Sequence, residues 1–396
     1  MSTAFVIRAA RVLTPLEVII NGAVVVQGSR ILHVGPDSST ARPDGAELID
    51  LGSATLVPGF VDVHIHGSGG DTAMSGASAV QRISRFLARH GVTCWLPTLT
   101  WGATFEESLD IVRAAALGCE LAGDGAEAAG LHLEGPFLSP KRPGAIRPES
   151  FRIPSLVDLD ALLDAGRGFV RLMTIAPELP GGRELVERLV SRGVTASIGH
   201  SDATVEEARG AIASGVTHAT HAFNAMRGLH HRDPGVVGAI MVSDQVTAEL
   251  IADGVHVETT AMKVLIWAKG SDRVAVITDA IAAAGLGDGD FTFDGRPISV
   301  RDGKAFLADG TIAGSVSRLD DNVRGLVRDC SVPLSRAIAM ATRVPARSVG
   351  LEKRKGYLAG GYDADIVALD SDLNVRFTMA RGRIVFRDDE SPVSRR

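Results

Sequence analysis

From Phe60 to Asp279, short apolar runs rich in β-branched residues alternate with longer stretches of helical spacing, the pattern of repeated βα units around a parallel sheet. Eight such runs are present: Phe60 to Ile65, Val92 to Pro97, Ala129 to Glu134, Val170 to Ile175, Val194 to Gly199, Val216 to His221, Thr247 to Ala252 and Val274 to Asp279. Amphipathic stretches lie between them, among them Ala79 to His90, Arg183 to Arg192, Thr204 to Ser214 and Thr260 to Lys269, several closed by the glycine expected at a helix end. Eight units predict a (β/α)8 TIM barrel, whose usual size is about 250 residues or more. A doubly wound open sheet shares this periodicity, so alternation alone leaves both arrangements open.

The flanking segments read differently. Val24-Val25-Val26, Gly28-Ser29-Arg30, Ile31-Leu32 and Leu48-Ile49 follow hairpin grammar, as do Ala364-Asp365-Ile366-Val367-Ala368-Leu369 and Arg383-Ile384-Val385-Phe386 near the other end. Because domain termini often lie close together, both ends are expected to form one small β-sandwich domain, residues 1–58 and 356–396, with the barrel at 59–355. Phe291 to Ile312 reads as an insertion of short strands, and helices near Arg318 to Asp329 and Leu334 to Arg343 complete the outer wall.

Bulk properties narrow the function. A 396-residue chain with 45% hydrophobic residues has ample core, and a net charge of -6 lacks the basic excess of nucleic-acid or anionic-membrane binders, so a small solute is expected. Cys94, Cys119 and Cys330 are odd in number and far apart, which offers neither a disulfide framework nor a CxxC metal site. Arg8 and Arg11 interrupt the first apolar run as a signal peptide would not, and no apolar stretch suits a membrane span. A cytoplasmic protein is the expectation.

In a TIM barrel the residues at the carboxyl ends of the strands face the active site. Here His64 and His66 end the first run with the period-two spacing that points both imidazoles to one face, as a shared metal site requires. Glu134 ends the third, His200 follows the fifth, His221 ends the sixth and Asp279 the eighth, while His256 follows the seventh. A single such histidine is ordinarily hydrogen-bonded into the core or exposed. A ligand set spread over strand ends one, three, five, six and eight is not something burial or solubility generates, and it favours the barrel over the open sheet.

Glu134, His200 and His221 supply one oxygen and two nitrogen ligands, the three-ligand open arrangement of catalytic zinc, and His64 with His66 suits a second ion. Divalent iron or manganese would also accept these donors. Such an ion acidifies water and polarises a carbonyl, as amide hydrolysis needs, and Asp279 is placed as the general base that takes the proton and returns it to the departing amine. By strand alternation His132 shares the face of Glu134 while His218 does not share that of His221; supporting roles rather than ligation are expected for both.

The string Pro58-Gly59-Phe60-Val61-Asp62-Val63-His64-Ile65-His66-Gly67 resembles the opening of the amidohydrolase superfamily barrel. More specific are Leu131-His132-Leu133-Glu134-Gly135-Pro136-Phe137, Ile198-Gly199-His200-Ser201, Thr220-His221-Ala222-Phe223-Asn224-Ala225-Met226, His231-Arg232-Asp233-Pro234-Gly235, Ala252-Asp253-Gly254-Val255-His256 and Thr278-Asp279-Ala280. Together they resemble the N-acetylglucosamine-6-phosphate deacetylase family over nearly the whole chain. The resemblance implies hydrolysis of an N-acetyl amino-sugar 6-phosphate, with Glu134, His200 and His221 as metal ligands and Asp279 as acid/base. It also implies substrate contacts from Asn224 and Ala225, and a phosphate held by His256 and by Arg232 of a neighbouring subunit in a homodimer. Carboxylated-lysine relatives carry a lysine at the end of strand four; Arg171-Leu172-Met173-Thr174-Ile175 contains none, and Glu134 takes that place.

Two departures bear on specificity. Where the family usually carries a Gly-Ala-His triplet whose histidine meets the substrate, this chain has Gly144-Ala145-Ile146, and isoleucine makes no hydrogen bond. Either Arg147 replaces that histidine or the preferred substrate differs. Arg318 also stands where the family has an apolar lid residue near the acyl group. A related amidohydrolase acting on another N-acyl sugar or N-acyl amino acid is therefore the alternative, and a non-catalytic sugar-phosphate binder is a third reading that gives Asp279 no purpose.

Overall fold

The computed structural model of the chain describes residues 4–121 and 123–388. Its centre is a ring of eight parallel strands: Phe60–Ile65, Val92–Leu99, Leu131–Glu134, Val170–Ile175, Thr195–Ile198, Val216–Ala219, Thr247–Ile251 and Val274–Ile277. Each pairs with the next, and the ring closes where Ile65 bridges Ala280 and the Asp279 N–H donates to the His64 carbonyl at 2.9 Å. Asp62 fastens the same seam from inside, accepting the Thr278 hydroxyl at 2.6 Å. The TIM barrel expected from the alternation is thus the observed fold, and the doubly wound sheet is not.

The runs lack in-out alternation because both faces are covered, by helices outside and packed side chains inside. Every residue of Phe60–Ile65 and of Val92–Leu99 is buried. Two helices of the wall, Phe105–Glu120 and Val205–Ser214, start at capping boxes in which Thr104 and Thr204 bond Glu107 and Glu207, so local chemistry sets where the chain turns back along the barrel.

The two ends meet in one eight-stranded sheet. Ile366–Leu369 pairs antiparallel with Thr55–Pro58, beside Ala4–Leu13, Val18–Gln27 and Arg30–Pro36 on one side and Val375–Ala380 and Arg383–Arg387 on the other. Phe5, Ile7, Val24, Ile31, Leu56, Ile366 and Phe377 fill its core. Of the small domain expected at 1–58 and 356–396, residues 1–3 and 389–396 lie outside the described ones. The insertion after the eighth strand is a three-stranded antiparallel sheet, Gly289–Phe293, Arg296–Arg301 and Lys304–Leu307, seated above the carboxyl ends of the barrel strands. No helix among the described residues is long and apolar enough to cross a membrane.

Candidate active site

Glu134 is the last residue of the third barrel strand, but His200, His221 and Asp279 lie just past the ends of theirs, each with positive φ (46°, 28° and 52°). A non-glycine residue in that region carries a cost of about 1–3 kcal/mol and persists only where its surroundings over-determine it. Backbone bonds do so here: Ser139 N–H to the His200 carbonyl and Asn224 N–H to the His221 carbonyl, both 2.9 Å. The turn swings all three side chains inward over the barrel axis.

The resulting cluster has the chemistry of a cation site. One ligand atom each from Glu134, His200 and His221 lie within 4.8 Å of one another, and so do those of His64, His66 and Asp279. His200 Nδ1 lies 2.9 Å from the Arg142 carbonyl, His66 Nδ1 3.2 Å from the Thr98 carbonyl, and His64 Nδ1 2.8 Å from a Glu249 carboxylate oxygen. Each partner only accepts, so each Nδ1 carries hydrogen, and with an ion bound the ring would be neutral and present a bare Nε2 to the cluster. Those Nε2 atoms meet carboxylate oxygens: His200 and Glu134 at 3.1 Å, His66 and Asp279 at 3.2 Å. His221 Nε2 stands 3.0 Å from Glu134 and 3.1 Å from His200 Nε2, while His64 Nε2 is buried with no hydrogen-bond partner. Lone pairs so crowded require positive charge between them, and the donor set suits a divalent ion.

Without an ion, protons on the imidazoles supply that positive charge, and His64 and His66 are both raised. Burial disfavours charge on His66, yet Asp279 and Glu134 outweigh it and raise the imidazole to about 9. Burial also opposes the charge of Glu134, but His64, His200 and His221 hold its carboxyl well below the ordinary range. Asp279 is lowered against the same burial by His64 and His66.

A cavity of about 230 Å³ opens onto this cluster. Of the expected substrate residues it takes in Asn224, Ala225 and His256. His256 Nδ1 is fixed by Asp253 at 2.7 Å; burial opposes its charge, but Asp253 prevails and raises its pKa. Ile146, Phe293 and Ile312 form an apolar wall. Arg232 does not reach this cavity: it is exposed, 2.7 Å from His231 Nε2. Two expectations are corrected. Arg147 does not take the place of the family histidine, because Asp294 on the insertion holds its guanidinium at 2.8 Å and 3.1 Å. Arg318 is likewise drawn off to Asp321 at 2.6 Å and does not line the cavity, whereas Thr311, Ile312 and Ala313 do.

The interior beneath the rim holds one more functional group, a carboxylate not singled out by sequence. Glu249, fully buried in the seventh strand, accepts from His64, from His218 Nε2 at 2.9 Å and from the His221 backbone N–H at 2.9 Å. His218 faces inward, contrary to its expected separation from His221, because its strand stops at Ala219 and alternation does not extend through the turn. His132 lies edge-on to His64 with centroids 4.6 Å apart and bonds the Thr174 hydroxyl at 2.8 Å, the supporting position expected of it. The available signal for Glu249 was a lone carboxylate in an otherwise apolar strand covered on both faces.

Known proteins are similar to this chain over nearly its whole length. N-acetylglucosamine-6-phosphate deacetylase of Bacillus subtilis is 36% identical, covering 99% of each chain, and N-acetylgalactosamine-6-phosphate deacetylase of Escherichia coli O157:H7 is 35% identical, covering 96% of this chain and 98% of its own length. A solved mutant of N-acetyl-D-glucosamine-6-phosphate deacetylase from Mycobacterium smegmatis, in complex with N-acetyl-D-glucosamine-6-phosphate, superposes with a TM-score of 0.90 at 37% identity, covering 97% of this chain and 99% of that one. The amidohydrolase family itself matches residues 55–385, from the strand that leads into the barrel to the last strand of the terminal sheet. With the barrel, the rim of histidines and carboxylates and that span in agreement, the chain belongs to the amidohydrolase family.

Proposed function

We propose that this chain is a metal-dependent hydrolase of a linear amide that removes the N-acetyl group of an amino-sugar 6-phosphate, converting N-acetylglucosamine 6-phosphate to glucosamine 6-phosphate and acetate. The observation that carries the reading is the convergence of Glu134, His200 and His221 beside Asp279 at the mouth of the cavity. Near full-length similarity to deacetylases of that substrate class supports it.

In this reading Glu134, His200 and His221 hold one divalent ion, and His64 and His66, with Asp279 as third donor, hold a second. Zinc fits the nitrogen-rich set first, and iron(II) or manganese(II) also suit it. When bound, the ion makes water acidic and polarises the amide carbonyl. Asp279 accepts the proton of the attacking water and passes it to the leaving amine. Asn224 and Ala225 orient the sugar, and His256, its pKa raised by Asp253 against burial, faces the phosphate.

Arg232 completes the phosphate site from a second copy. Its outward position supports this, as does the exposed apolar side chain of Leu229, three residues before it, at 56% exposure. The ligand is a small molecule, and we place the protein in the cytoplasm. We divide the chain at 1–58 with 356–396 and at 59–355.

A second reading, that another hexosamine epimer is preferred, is favoured by Ile146 in the cavity wall and by the similarity to an N-acetylgalactosamine-6-phosphate deacetylase. Acetate release from gluco-, galacto- and mannosamine derivatives, with and without the 6-phosphate, tests both. Turnover only on the galacto compound selects the second reading; no turnover by metal-loaded protein on any of them defeats both.

A further inference from the structure

The carboxylate of Glu249 makes no contact with the cavity, yet three groups of the rim converge on it. Its Oε2 accepts His64 Nδ1–H at 2.8 Å and the His221 backbone N–H at 2.9 Å, and its Oε1 accepts His218 Nε2–H at 2.9 Å. All four residues are buried, and Glu249, His64 and His218 are fully so. A carboxylate is the side chain that can receive three hydrogens without offering one.

We propose that Glu249 is the positioning residue that builds the second cation position and ties it to the first, an inference that rests on the two-ion reading above. By taking the Nδ1 hydrogen of His64 it leaves Nε2 bare and aimed at Asp279 and Glu134, 3.4 Å and 3.5 Å away. By holding the His221 N–H it pins the positive-φ turn that swings that imidazole to Glu134. His218 fixes the carboxylate itself from the far side. One side chain thus sets the donor atom of a ligand on strand one and the backbone of a ligand after strand six. Orientation by such outer partners is commonly worth about 10- to 100-fold in metal affinity.

The experiment strips the protein with chelator and titrates it with zinc alone against a competing chelator, in wild type, Glu249→Leu and Glu249→Gln. Wild type takes up two equivalents. Glu249→Leu binds the second about 10- to 100-fold more weakly than the first relative to wild type. Glu249→Gln retains most of that affinity, because its amide oxygen can still accept from His64 and His221 while its NH2 meets a His218 that has moved its hydrogen to Nδ1, an atom without a partner here. With a saturating first equivalent, kcat falls in Glu249→Leu while KM holds. A merely structural role would instead lower melting temperature and leave the ratio of the two zinc affinities unchanged.

A folded Glu249→Leu that binds both equivalents as tightly as wild type overturns the inference and leaves the two-ion reading standing. Wild type that takes up fewer than two equivalents overturns the two-ion reading and the inference with it. Independently of any variant, NMR of histidine-labelled, zinc-loaded wild type shows His64 Nδ1–H as a far-downfield, exchange-protected proton. Its absence from a sample holding two equivalents also overturns the inference.

Discussion

Asp279 Oδ1 lies 3.2 Å from His66 Nε2, and its side chain is 13% exposed, whereas that of Glu134 is 3% exposed. Of the two carboxylates in the cluster, Asp279 is the one that water and substrate can reach. This separates the tasks: a deeper carboxylate for charge balance and an accessible one for proton transfer. Asp279→Asn keeps the shape and removes the proton acceptor. We expect kcat to fall by about 10² to 10⁴ with KM little changed. Acetate release and metal content measured on one sample check it; turnover within tenfold of wild type with metal retained rules out the acid/base role.

Glu134 serves four imidazoles, those of His64, His66, His200 and His221. Glu134→Gln deletes the charge they share and should abolish high-affinity metal binding as well as turnover. Chelator treatment of wild type should do the same reversibly, with activity restored on zinc addition. Since an ion that binds only the folded state stabilises it by about 4 kcal/mol at a thousandfold excess over Kd, reloading should also raise the melting temperature. A chelated protein with full activity and an unshifted Tm contradicts the metal reading.

Arg232 is outside its own cavity, so its proposed contact with phosphate is made between subunits. Loss of a charge-assisted bond of about 1.5–3 kcal/mol should raise KM for the 6-phosphate substrate about 10- to 100-fold in Arg232→Ala and spare the unphosphorylated sugar. Mixing Arg232→Ala with Asp279→Asn provides the decisive assay. If the arginine is donated across a dimer, heterodimers carry one intact site and, at low substrate, recover low-KM activity that neither parent has; no recovery after verified subunit exchange places Arg232 elsewhere.

Much of this was readable from residue order, and the exceptions have physical causes. Barrel strands are covered on both faces, so their apolar runs and the polar residues that end them stand out, which is how Glu134, His200, His221 and Asp279 were found. Runs drawn through His221 and Asp279 were nevertheless two residues too long, because the strands stop at Ala219 and Ile277 and the chain turns with positive φ. That turn breaks the parity rule by which His218 was kept from the interior. Glu249 went unnoticed because its hydrogen-bond partners come from strands one and six. Arg147 and Arg318 were drawn towards substrate by sequence context, and aspartates at 294 and 321 claim them instead.

The terminal sheet is fastened to the barrel by Lys355, fully buried, whose ammonium lies 2.7 Å from Glu127, 2.9 Å from Asp363 and 2.7 Å from Asp365. Burial alone would lower the lysine, but Asp365, Glu127 and Asp363 overcome it and raise its pKa above the ordinary 10.5. Glu127, against its own burial, is held down to about 2 by Lys355 and Arg354. The signs define a window. The lysine's contribution is complete below its unfolded pKa of about 10.4 and is lost as pH rises through the higher folded value; that of Glu127 is complete above about 4.3 and is lost as pH falls towards 2. For Lys355 and Glu127 the contribution is therefore greatest at neutral pH, while Asp365, raised because burial outweighs Lys355, works against it there. Removing Lys355 leaves buried carboxylates uncompensated, so Lys355→Met should cost about 3–5 kcal/mol at pH 7 in denaturant melts. Asp363 retains Arg30 and Arg354, so the unpaired charge falls chiefly on Asp365. Adding Asp365→Asn to Lys355→Met should recover part of the loss; a double variant no more stable than the single would show that the lysine's packing, rather than its charge, holds the junction.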